Sequence, residues 1–514
     1  MKTLYVSDLD GTLLRSDETL SETTISTLNK LVDEGALFTY ATARSSSTAG
    51  KITVGLRTDF PVVVYNGVFV MIPSTGVVLS SATFTDDEVN CVKSVLEKEG
   101  VSAIVYSLID GRERVSWNIN KVNPGMQRYL DSRKGDRRLR ALESDDDLFE
   151  GQVYYFTLIA AEGELDAVYE TFKDHRSFTC THQKDIYNDD YWCEIMPKKA
   201  TKANGIERLK EILHCDRVVS FGDAINDLPM FRMSDECYAV ENAAAELKEK
   251  ATAVIGSNNH DAVAKWIERD FYMEKEKAAL LQNLRDLGIN KGDTLLVHSS
   301  IKSIGTKLTP DDIISILQEA VGEEGNLLLP ALSYDYVTPE QPVFDSKTTE
   351  PCIGLLPKVF LHSKGVVRSL HPTHSVCAWG KDSVELTKDH IKDHTPVGPN
   401  SPFIKLIEKG GKIMFIGEIV EHCTFMHGME EYFGTDYVLE DHYTTYNIDG
   451  TEKEYINHDF RTVKNQRYDR IKNYVPYRVG NFGKGPCYVF NAAEIKENVI
   501  PVFEKDQHAF IDLK

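Results

Sequence analysis

The sequence predicts an α/β fold in each of two successive halves of the chain. Short apolar runs with the character of buried strands alternate with amphipathic helical segments. In the first half, the run 4–6 precedes a pair of acidic residues, and the helical segment 203–213 precedes the run 217–221. The second half starts the pattern again with the run 294–297 and the helical segment 311–321. The length of 514 residues agrees with this layout, since it predicts about three domains.

The first apolar run leads into two acidic residues that are separated by one position. Asp8 and Asp10 follow the run 4–6, and the turn Gly11-Thr12 comes next. Side chains at positions i and i+2 of an extended strand end project to the same side, so both carboxylates can face one reaction centre. A buried carboxylate pair repels itself unless it shares a cation or a proton, and Mg²⁺ prefers hard oxygen ligands. Two solvated loop carboxylates remain the alternative at this point.

Three further polar features occupy similar places later in the chain. Thr42 closes the apolar stretch 36–41, Lys202 opens the helical segment 203–213, and the run 217–221 leads into the acidic loop 222–227. An Asp-x-Asp strand end, a Ser/Thr strand end, a Lys and a Gly-Asp-x-x-x-Asp loop, in this order, closely resemble the four motifs of the haloacid dehalogenase-like phosphohydrolase superfamily. The resemblance covers residues 1 to about 270, and the segments 66–67 and 194–197 resemble its Cof-type subgroup.

The resemblance implies a Mg²⁺-dependent phosphatase that acts on a small phosphorylated metabolite, which we expect to be a sugar phosphate. Asp8 would attack phosphorus and form an aspartyl-phosphate, which divides the hydrolysis into two easier steps. Asp10 would protonate the leaving oxygen and then activate water. The implied phosphate-binding residues are Thr42, Lys202 and Asn226, and the implied metal-binding residues are Asp8, Asp10, Asp223 and Asp227. Taken alone, Lys202 would be interpreted as a surface lysine at the start of a helix.

The segment between Thr42 and Lys202 is roughly 160 residues long, which is too long for a loop. Its pattern predicts a separate α+β unit with helices at 85–98 and 165–175 and strands at 101–107 and 152–160. In the resembled subgroup, such an insertion is a cap that covers the phosphate pocket. The predicted architecture of the first half is therefore a Rossmann-like core with an inserted α+β cap. The core occupies 1–82 and 185–270, and the cap occupies 83–184.

Composition restricts the partners and the compartment. The formal charge of −21 and the pI near 5.2 argue against nucleic acid or anionic membranes as main partners. Nine cysteines without CxxC pairs indicate reduced thiols and a cytoplasmic protein. The sequence has no N-terminal signal and no apolar stretch of about 20 residues, so no transmembrane helix is expected. A homodimer is compatible with these observations.

The second half begins after two predicted helices, at 258–266 and 274–287, and forms a second α/β domain at 275–514. Several blocks occur in a fixed order and together are similar to the aminoglycoside 3-N-acetyltransferase (antibiotic acetyltransferase) family over roughly 276–510. These blocks are 298–305, 366–380, 398–403, 412–417 and 424–430. The resemblance implies an N-acetyltransferase that uses acetyl-CoA as cosubstrate and an amine as acceptor.

His427 and Glu430 are the candidate catalytic residues of this half. At i and i+3 they share one face of a helix, so the carboxylate can orient the imidazole. A neutral imidazole near pH 7 is suited to removing a proton from an attacking amine. The resemblance implies that His427 is the general base, and Thr424 and Glu430 preserve the surrounding T-x-x-H-x-x-E pattern. Without the family context, a His–Glu pair on a helix surface remains the simpler interpretation.

The coenzyme-binding residues are predicted from polar positions in the matching blocks. They are Ser299, Ser300, Lys302, Arg368, Ser369, Ser375 and Ser401. Arginine suits bidentate phosphate contact, and the residues after the strand 294–297 can reach pantetheine or phosphates. Each serine can instead be a turn residue or a helix cap.

The leading hypothesis is a bifunctional enzyme, because both sets of motifs are intact. An amino sugar or a related amine is the expected acceptor, since one such molecule can carry both a phosphate and an amine. One alternative keeps the phosphatase and makes the C-terminal half a CoA-binding or assembly module without turnover. Another makes the chain an aminoglycoside-resistance acetyltransferase. The run 417–424 departs from the usual Gly-Val-x-x-x-x-Asn-Thr run of the family, which alters the pocket near His427 and argues against drug resistance.

Overall fold

The computed structural model describes residues 2–57, 59–185 and 188–514. The chain divides into two compact units, Met1–Phe271 and Tyr272–Lys514. Across the described ranges, no helix combines the length and apolarity that a membrane span requires. All nine cysteines are free thiols.

A five-stranded parallel sheet forms the core of the N-terminal unit. In spatial order its strands are Ala253–Val254, Glu236–Ala239, Arg217–Gly222, Thr3–Ser7 and Leu37–Tyr40. The chain leaves the first strand, Thr3–Ser7, toward one edge and later returns on its other side at Arg217–Gly222. The junction of these two strands is the point where the strand order reverses, and ligands bind at the carboxyl ends of the strands at such a point.

A six-stranded sheet forms the inserted unit. In spatial order its strands are Phe178–Lys184, Tyr191–Pro197, Gln152–Ala160, Ile104–Ile109, Arg112–Asn118 and Leu139–Leu142. Helices Asp86–Glu99 and Asp166–Phe172 carry buried residues of the same hydrophobic cluster as Phe156 and Ile195. The strand Gln152–Ala160 has the bounds expected from the sequence.

The inserted sheet differs from the sequence-based expectation at two places. Tyr191–Pro197 pairs antiparallel with both Phe178–Lys184 and Gln152–Ala160, so the inserted sheet extends beyond the expected boundary at 184. The strand expected at 101–107 lies at Ile104–Ile109, because the turn Asp110-Gly111 is what ends it. Both turn residues have positive φ, at 49° and 72°, which matches a two-residue hairpin turn.

The remaining elements of the N-terminal unit are a small antiparallel sheet and several helices. The small sheet consists of Val62–Val64, Phe69–Ile72 and Val77–Ser81. The other α-helices are Glu22–Asp33, Ser46–Ile52, Pro124–Ser132, Lys202–Leu213, Leu228–Met233 and Ala245–Lys250.

The two helices expected at 258–266 and 274–287 form one continuous helix, Ala262–Asp286. Asn258–His260 is a separate 3₁₀ turn before it. The expectation of a break was wrong because the segment between the two expected helices, 267–273, contains neither Gly nor Pro. Backbone hydrogen bonding can therefore continue through that segment.

A seven-stranded mixed sheet forms the core of the C-terminal unit. In spatial order its strands are Val367–Arg368, Val376–Gly380, Asn326–Pro330, Thr294–Ser299, Lys412–Ile416, Gly485–Asn491 and Tyr477–Phe482. Alternate residues of the central strands enter two separate hydrophobic clusters. Leu295 and Val297 belong to one cluster, and Leu296 belongs to the other. This period of two buries both faces of the sheet.

Helices and two smaller sheets complete the C-terminal unit. The helices are Ile301–Ile304, Pro310–Val321, Leu355–Leu361, Ser383–Thr387, Pro402–Glu408, Thr424–Phe433 and Ala492–Lys505. One smaller sheet consists of Val343–Phe344, Thr444–Ile448 and Thr451–Tyr455, and the other of Val463–Gln466 and Ile511–Leu513.

Candidate active sites

Two neighbouring parallel strands bring Asp8 and Asp223 together. Ser7 is in register with Phe221, so the residues that follow them, Asp8 and Gly222-Asp223, lie at the same edge of the sheet. The backbone N–H of Asp8 donates to the carbonyl of Phe221 at 3.0 Å, which continues the ladder up to the site. The topology therefore fixes a carboxylate from each strand at the point where the strand order reverses.

A cluster of three aspartates and one lysine lies at this edge, and all of them except the half-buried Asp223 are buried. Carboxylate oxygens of Asp8, Asp223 and Asp227 all lie within 4.8 Å of one another. Nζ of Lys202 donates to Oδ1 of Asp8 at 2.6 Å and to Oδ1 of Asp227 at 2.8 Å. Lys202 is the first residue of the helix Lys202–Leu213 and is buried, so it is not the surface lysine that its position alone would indicate.

Burial dominates the electrostatics of this cluster. It raises the pKa of Asp8 to about 7, with Lys202 opposing and Asp227 adding to the shift. Burial also raises the pKa of Asp223. Although burial disfavours the charged lysine, Asp8 and Asp227 raise the pKa of Lys202. Three close carboxylates with one ammonium keep a surplus of negative charge, and a divalent cation would neutralise that charge.

Asp223 is held by the turn that follows Asp8. Thr12 Oγ1 donates to Oδ1 of Asp223 at 2.8 Å. Gly11 has φ of 74°, and a Cβ atom there would lie 2.3 Å from Oδ2 of Asp223. Only glycine fits this approach, so the Gly-Thr turn is part of the construction of the site.

Asp10 is oriented differently from the expectation. Its carboxylate accepts hydrogen bonds from Nε of Arg44 at 3.0 and 2.9 Å, and it lies outside the cluster of Asp8, Asp223 and Asp227. Arg44 also donates to Glu18 at 2.9 Å. The prediction that the Asp10 side chain joins the metal-binding carboxylates is therefore not met by this arrangement. Arg44 follows Thr42 closely in sequence, but nothing in the sequence indicated its pairing with Asp10.

The phosphate-site residues surround a cavity of about 460 Å³. Asp8, Asp10, Lys202, Asp223 and Asn226 line it. Thr42 is fully buried beside this region, and its Oγ1 accepts a hydrogen bond from the backbone N–H of Arg44 at 3.1 Å. Apart from Thr42 and the fully buried Asp227, the residues predicted for phosphate and metal thus face one common space.

The second site lies at the helix Thr424–Phe433 of the C-terminal unit. Nδ1 of His427 lies 3.0 Å from Oε2 of Glu430. The Tyr468 hydroxyl is 2.8 Å from the same nitrogen and donates to Oε2 of Glu430 at 2.8 Å. The Tyr437 hydroxyl donates to Oε1 of Glu430 at 2.8 Å. Both tyrosines lie downstream of the matching blocks, so the sequence analysis did not identify them.

This network sets the orientation of the imidazole. Glu430 is fully buried, and both of its oxygens are hydrogen-bonded. With Nδ1 of His427 turned toward the carboxylate, Nε2 has no hydrogen-bond partner within the described residues. A tautomer with its proton on Nδ1 therefore presents a free lone pair on Nε2.

His427 lines a cavity of about 740 Å³. Two other lining histidines lie close to it, with the ring centre of His458 at 4.6 Å and that of His374 at 6.4 Å. Burial lowers the pKa of both well below 6.5, so they are neutral imidazoles. Ser299, at the end of the central strand, also lines the cavity. Lys302 is exposed and, like Ser300, lies outside the lining.

Four of the predicted coenzyme-binding residues have internal structural roles instead. Arg368 donates to Ser375 Oγ at 2.9 Å and to the Ala331 carbonyl at 3.0 Å, and it stacks over Phe344 with its carbon 4.7 Å from the ring centre. Its donors are thus used within the fold, and a phosphate contact is not supported.

The other three of these residues are buried serines. Ser369 Oγ bonds to His390 Nδ1 at 2.8 Å, Ser375 Oγ donates to the Ala331 carbonyl at 2.8 Å, and Ser401 caps the helix Pro402–Glu408. The turn and cap alternatives are therefore the better description of these residues.

The parallel sheet with clustered carboxylates at its switch point defines the N-terminal unit as a Rossmann-like α/β domain with an acidic active-site cluster. The chain belongs to the haloacid dehalogenase-like hydrolase family, whose model matches residues 5–267. The aminoglycoside 3-N-acetyltransferase family model matches residues 296–504. Both predicted family resemblances and the α/β fold class of each half are confirmed.

Curated relatives match each half separately. The 5-amino-6-(5-phospho-D-ribitylamino)uracil phosphatase YwtE of Bacillus subtilis (strain 168) is 26% identical over 282 residues, which cover 51% of this chain and 96% of that protein. Aminoglycoside N(3)-acetyltransferase VII of Streptomyces paromomycinus is 31% identical over 172 residues, which cover 30% of this chain and 59% of that protein. Aminoglycoside N(3)-acetyltransferase VIII of Streptomyces fradiae is 28% identical over 255 residues, which cover 43% of this chain and 88% of that protein. The chain thus spans less than two thirds of the first of these acetyltransferases.

Proposed function

We propose that the chain is a bifunctional enzyme. The N-terminal unit is a Mg²⁺-dependent phosphatase of a small phosphorylated metabolite, most simply a sugar phosphate. The C-terminal unit transfers an acetyl group from acetyl-CoA to an amino sugar or a related amine. The observation that carries this proposal is the presence in one chain of two separate catalytic arrangements, the Asp8–Lys202–Asp227 cluster and the His427–Glu430 pair, each facing its own cavity.

In the phosphatase, Asp8 is the nucleophile and Asp10 the acid and base. Asp8 and Asp10 both line the 460 Å³ cavity, although Asp10 is paired with Arg44 in the present arrangement. For Asp10 to reach a leaving oxygen, that pair has to open or turn. Lys202 and Asn226 hold the phosphoryl oxygens, with Thr42 behind them.

Asp8, Asp223 and Asp227 supply a fitting site for Mg²⁺. They offer hard oxygen ligands that lie within 4.8 Å of one another, and burial leaves their negative charge poorly solvated. When bound, Mg²⁺ would neutralise charge as the anionic nucleophile approaches the anionic phosphate. Phosphate release from a sugar-phosphate panel, measured with Mg²⁺ and with EDTA, tests this assignment.

In the acetyltransferase, His427 removes the proton from the attacking amine through Nε2. Glu430 holds the imidazole in the required tautomer, and the cavity beside it admits both the uncharged pantetheine arm and the acceptor. The altered run 417–424 does not disturb this arrangement, since Thr424 still begins the helix that carries His427. We therefore favour catalysis over a binding module without turnover. Release of the CoA thiol from acetyl-CoA across a panel of amines tests the choice.

A further inference from the structure

The charges on the wall of the 740 Å³ cavity are few and have one sign. Glu440 is the single carboxylate among the described residues that line it, and no lysine or arginine belongs to that lining. Burial lowers the pKa of the lining histidines His298, His374 and His458, so these imidazoles are neutral. Apart from the base His427 and the exposed His422, the wall therefore carries one negative charge.

Glu440 is held in place by neutral groups. Asn457 Nδ2 donates to Oε2 of Glu440 at 3.1 Å, and the Tyr446 hydroxyl donates to Asn457 Oδ1 at 3.0 Å. The backbone N–H of Glu440 also donates to the Asn457 carbonyl at 2.9 Å. Throughout the described ranges, no lysine or arginine lies within 4.0 Å of the Glu440 carboxylate, although Arg461 interacts with it at longer range. Nε2 of His442 lies 3.7 Å from its Oε2. The carboxylate is thus fixed in position but keeps its charge available.

We propose that the acetyl acceptor is an unphosphorylated compound with one cationic amine, and that Glu440 is the residue that selects for this charge. The inference rests on the proposed acetyltransferase function and specifies its acceptor. A phosphate ester inside the cavity would meet a carboxylate and no cation, which disfavours its binding. A polycationic aminoglycoside would bring several ammonium groups to one carboxylate, and each unpaired charge would lose hydration without compensation.

The neutral part of the wall suits the rest of such an acceptor. Thr338, Thr373 and Gln466 offer uncharged hydrogen-bonding groups that match sugar hydroxyls. The ammonium can be attracted by Glu440 on entry and release one proton to solvent water, so that the neutral amine is the group that attacks. In the reaction, the N–C bond forms as the C–S bond of acetyl-CoA breaks, and the amine proton passes to His427 Nε2 and then to the departing CoA thiolate.

A reaction order follows if one molecule visits both sites. Because the acetyl site disfavours a phosphate, dephosphorylation has to precede acetylation. The preceding reaction would then have to produce a phosphorylated amine as the substrate of the phosphatase site. The final product of the two sites would be a neutral N-acetylated alcohol.

The test uses the full chain with Asp8→Asn, so that phosphate esters stay intact during the assay. Thiol release from acetyl-CoA is measured with glucosamine and galactosamine, with the 6-phosphate of each, and with a tetra-amine aminoglycoside. We expect kcat/KM for the free monoamines to be about 100-fold higher than kcat/KM for their phosphates. It should also be about tenfold or more higher than kcat/KM for the tetra-amine. Equal or faster acetylation of the phosphates or of the tetra-amine would overturn the inference while leaving the acetyltransferase function standing. Failure of every amine to release thiol would remove both.

Glu440→Gln in the same background isolates the selecting residue. Loss of the carboxylate should lower kcat/KM for the free monoamine. The ratio of kcat/KM for the free monoamine to kcat/KM for its phosphate should fall by about tenfold. The matched control is Glu452→Gln, an exposed carboxylate outside the cavity lining, which should leave the ratio unchanged. An unchanged ratio in Glu440→Gln would rule out this role for Glu440.

Discussion

The hydroxyl of Tyr468 lies 2.8 Å from Nδ1 of His427. It also donates to Glu430, so one buried phenol contacts both members of the proposed catalytic pair. In a fully buried site, a donor to the carboxylate reduces the cost of keeping that carboxylate charged. Tyr468 is therefore a positioning residue for the base rather than a simple packing residue.

Tyr468→Phe should lower kcat for acetyl transfer by about tenfold, because the imidazole and the carboxylate lose a shared hydrogen-bond partner. The KM for acetyl-CoA should change little. Tyr474→Phe, which alters an exposed ring, is the control. Unchanged kcat in Tyr468→Phe, or a fall in kcat accompanied by an equal rise in the KM for acetyl-CoA, would contradict a positioning role.

Removal of the proposed base should have a larger effect than removal of its partners. His427→Ala should lower acetyl transfer by about 10²-fold or more, the usual range for loss of a general base. Glu430→Gln should give a smaller loss, since the amide can still orient the ring. Both variants should bind acetyl-CoA with nearly unchanged affinity in calorimetry. Near-normal acetylation of a confirmed acceptor by His427→Ala would exclude the assignment.

The carboxylate cluster predicts unequal effects of the acidic residues on Mg²⁺ binding. Asp223→Asn removes one member of the cluster and should weaken Mg²⁺ binding at least tenfold, as judged by calorimetry. Asp10→Asn should change Mg²⁺ affinity by less than about threefold, because its side chain lies outside the cluster, yet it should abolish turnover. Equal weakening of Mg²⁺ binding in the two variants would place Asp10 among the ligands.

The buried histidines predict that acid destabilises the C-terminal unit. Burial lowers the pKa of His298 and His390 to about 3 and the pKa of His371, His374 and His458 well below 6.5. Below pH 6.5 the unfolded chain binds protons that the folded chain does not, so the free energy of unfolding falls as the pH falls. Each histidine can contribute up to about 1.4 kcal/mol per pH unit in this window.

Scanning calorimetry of the full chain between pH 7.5 and 5 measures this dependence. We expect a transition whose Tm is stable above pH 6.5 and falls steeply below it. His298→Gln should reduce the slope, because one fewer imidazole titrates on unfolding. A flat profile between pH 6.5 and 5 would contradict the neutral state of these histidines.

The acidic residues at the ends of parallel strands were the part of the site that the sequence could predict. Asp8 and Asp223 follow apolar runs, and parallel pairing places such residues at one sheet edge. The partner of Asp10 was not predictable, because Arg44 reaches it only through the fold. Arg368 was misassigned for a similar reason. Its charge suggested a phosphate, whereas backbone carbonyls and an aromatic ring surround it in the fold.

The end of a helix or strand was predictable where a turn residue such as glycine stops it. Gly288 follows the helix Ala262–Asp286, whose end lies one residue before the expected end at 287, and its φ of 81° is incompatible with helix continuation. The break expected between 266 and 274 coincided with the expected end of the first half near 270, and such a boundary does not by itself interrupt backbone hydrogen bonds. Tyr468 and Tyr437 lie 41 and 10 residues after His427, so no local pattern could connect them to it.

The central claim is that one chain carries two independent catalytic sites. It is tested most directly by measuring phosphate release and CoA thiol release in parallel on the wild-type chain, Asp8→Asn and His427→Ala. We expect Asp8→Asn to lose phosphate release and keep thiol release, and His427→Ala to show the reverse. Full phosphatase activity in Asp8→Asn, or loss of both activities in either variant when both remain folded by circular dichroism, would contradict the account.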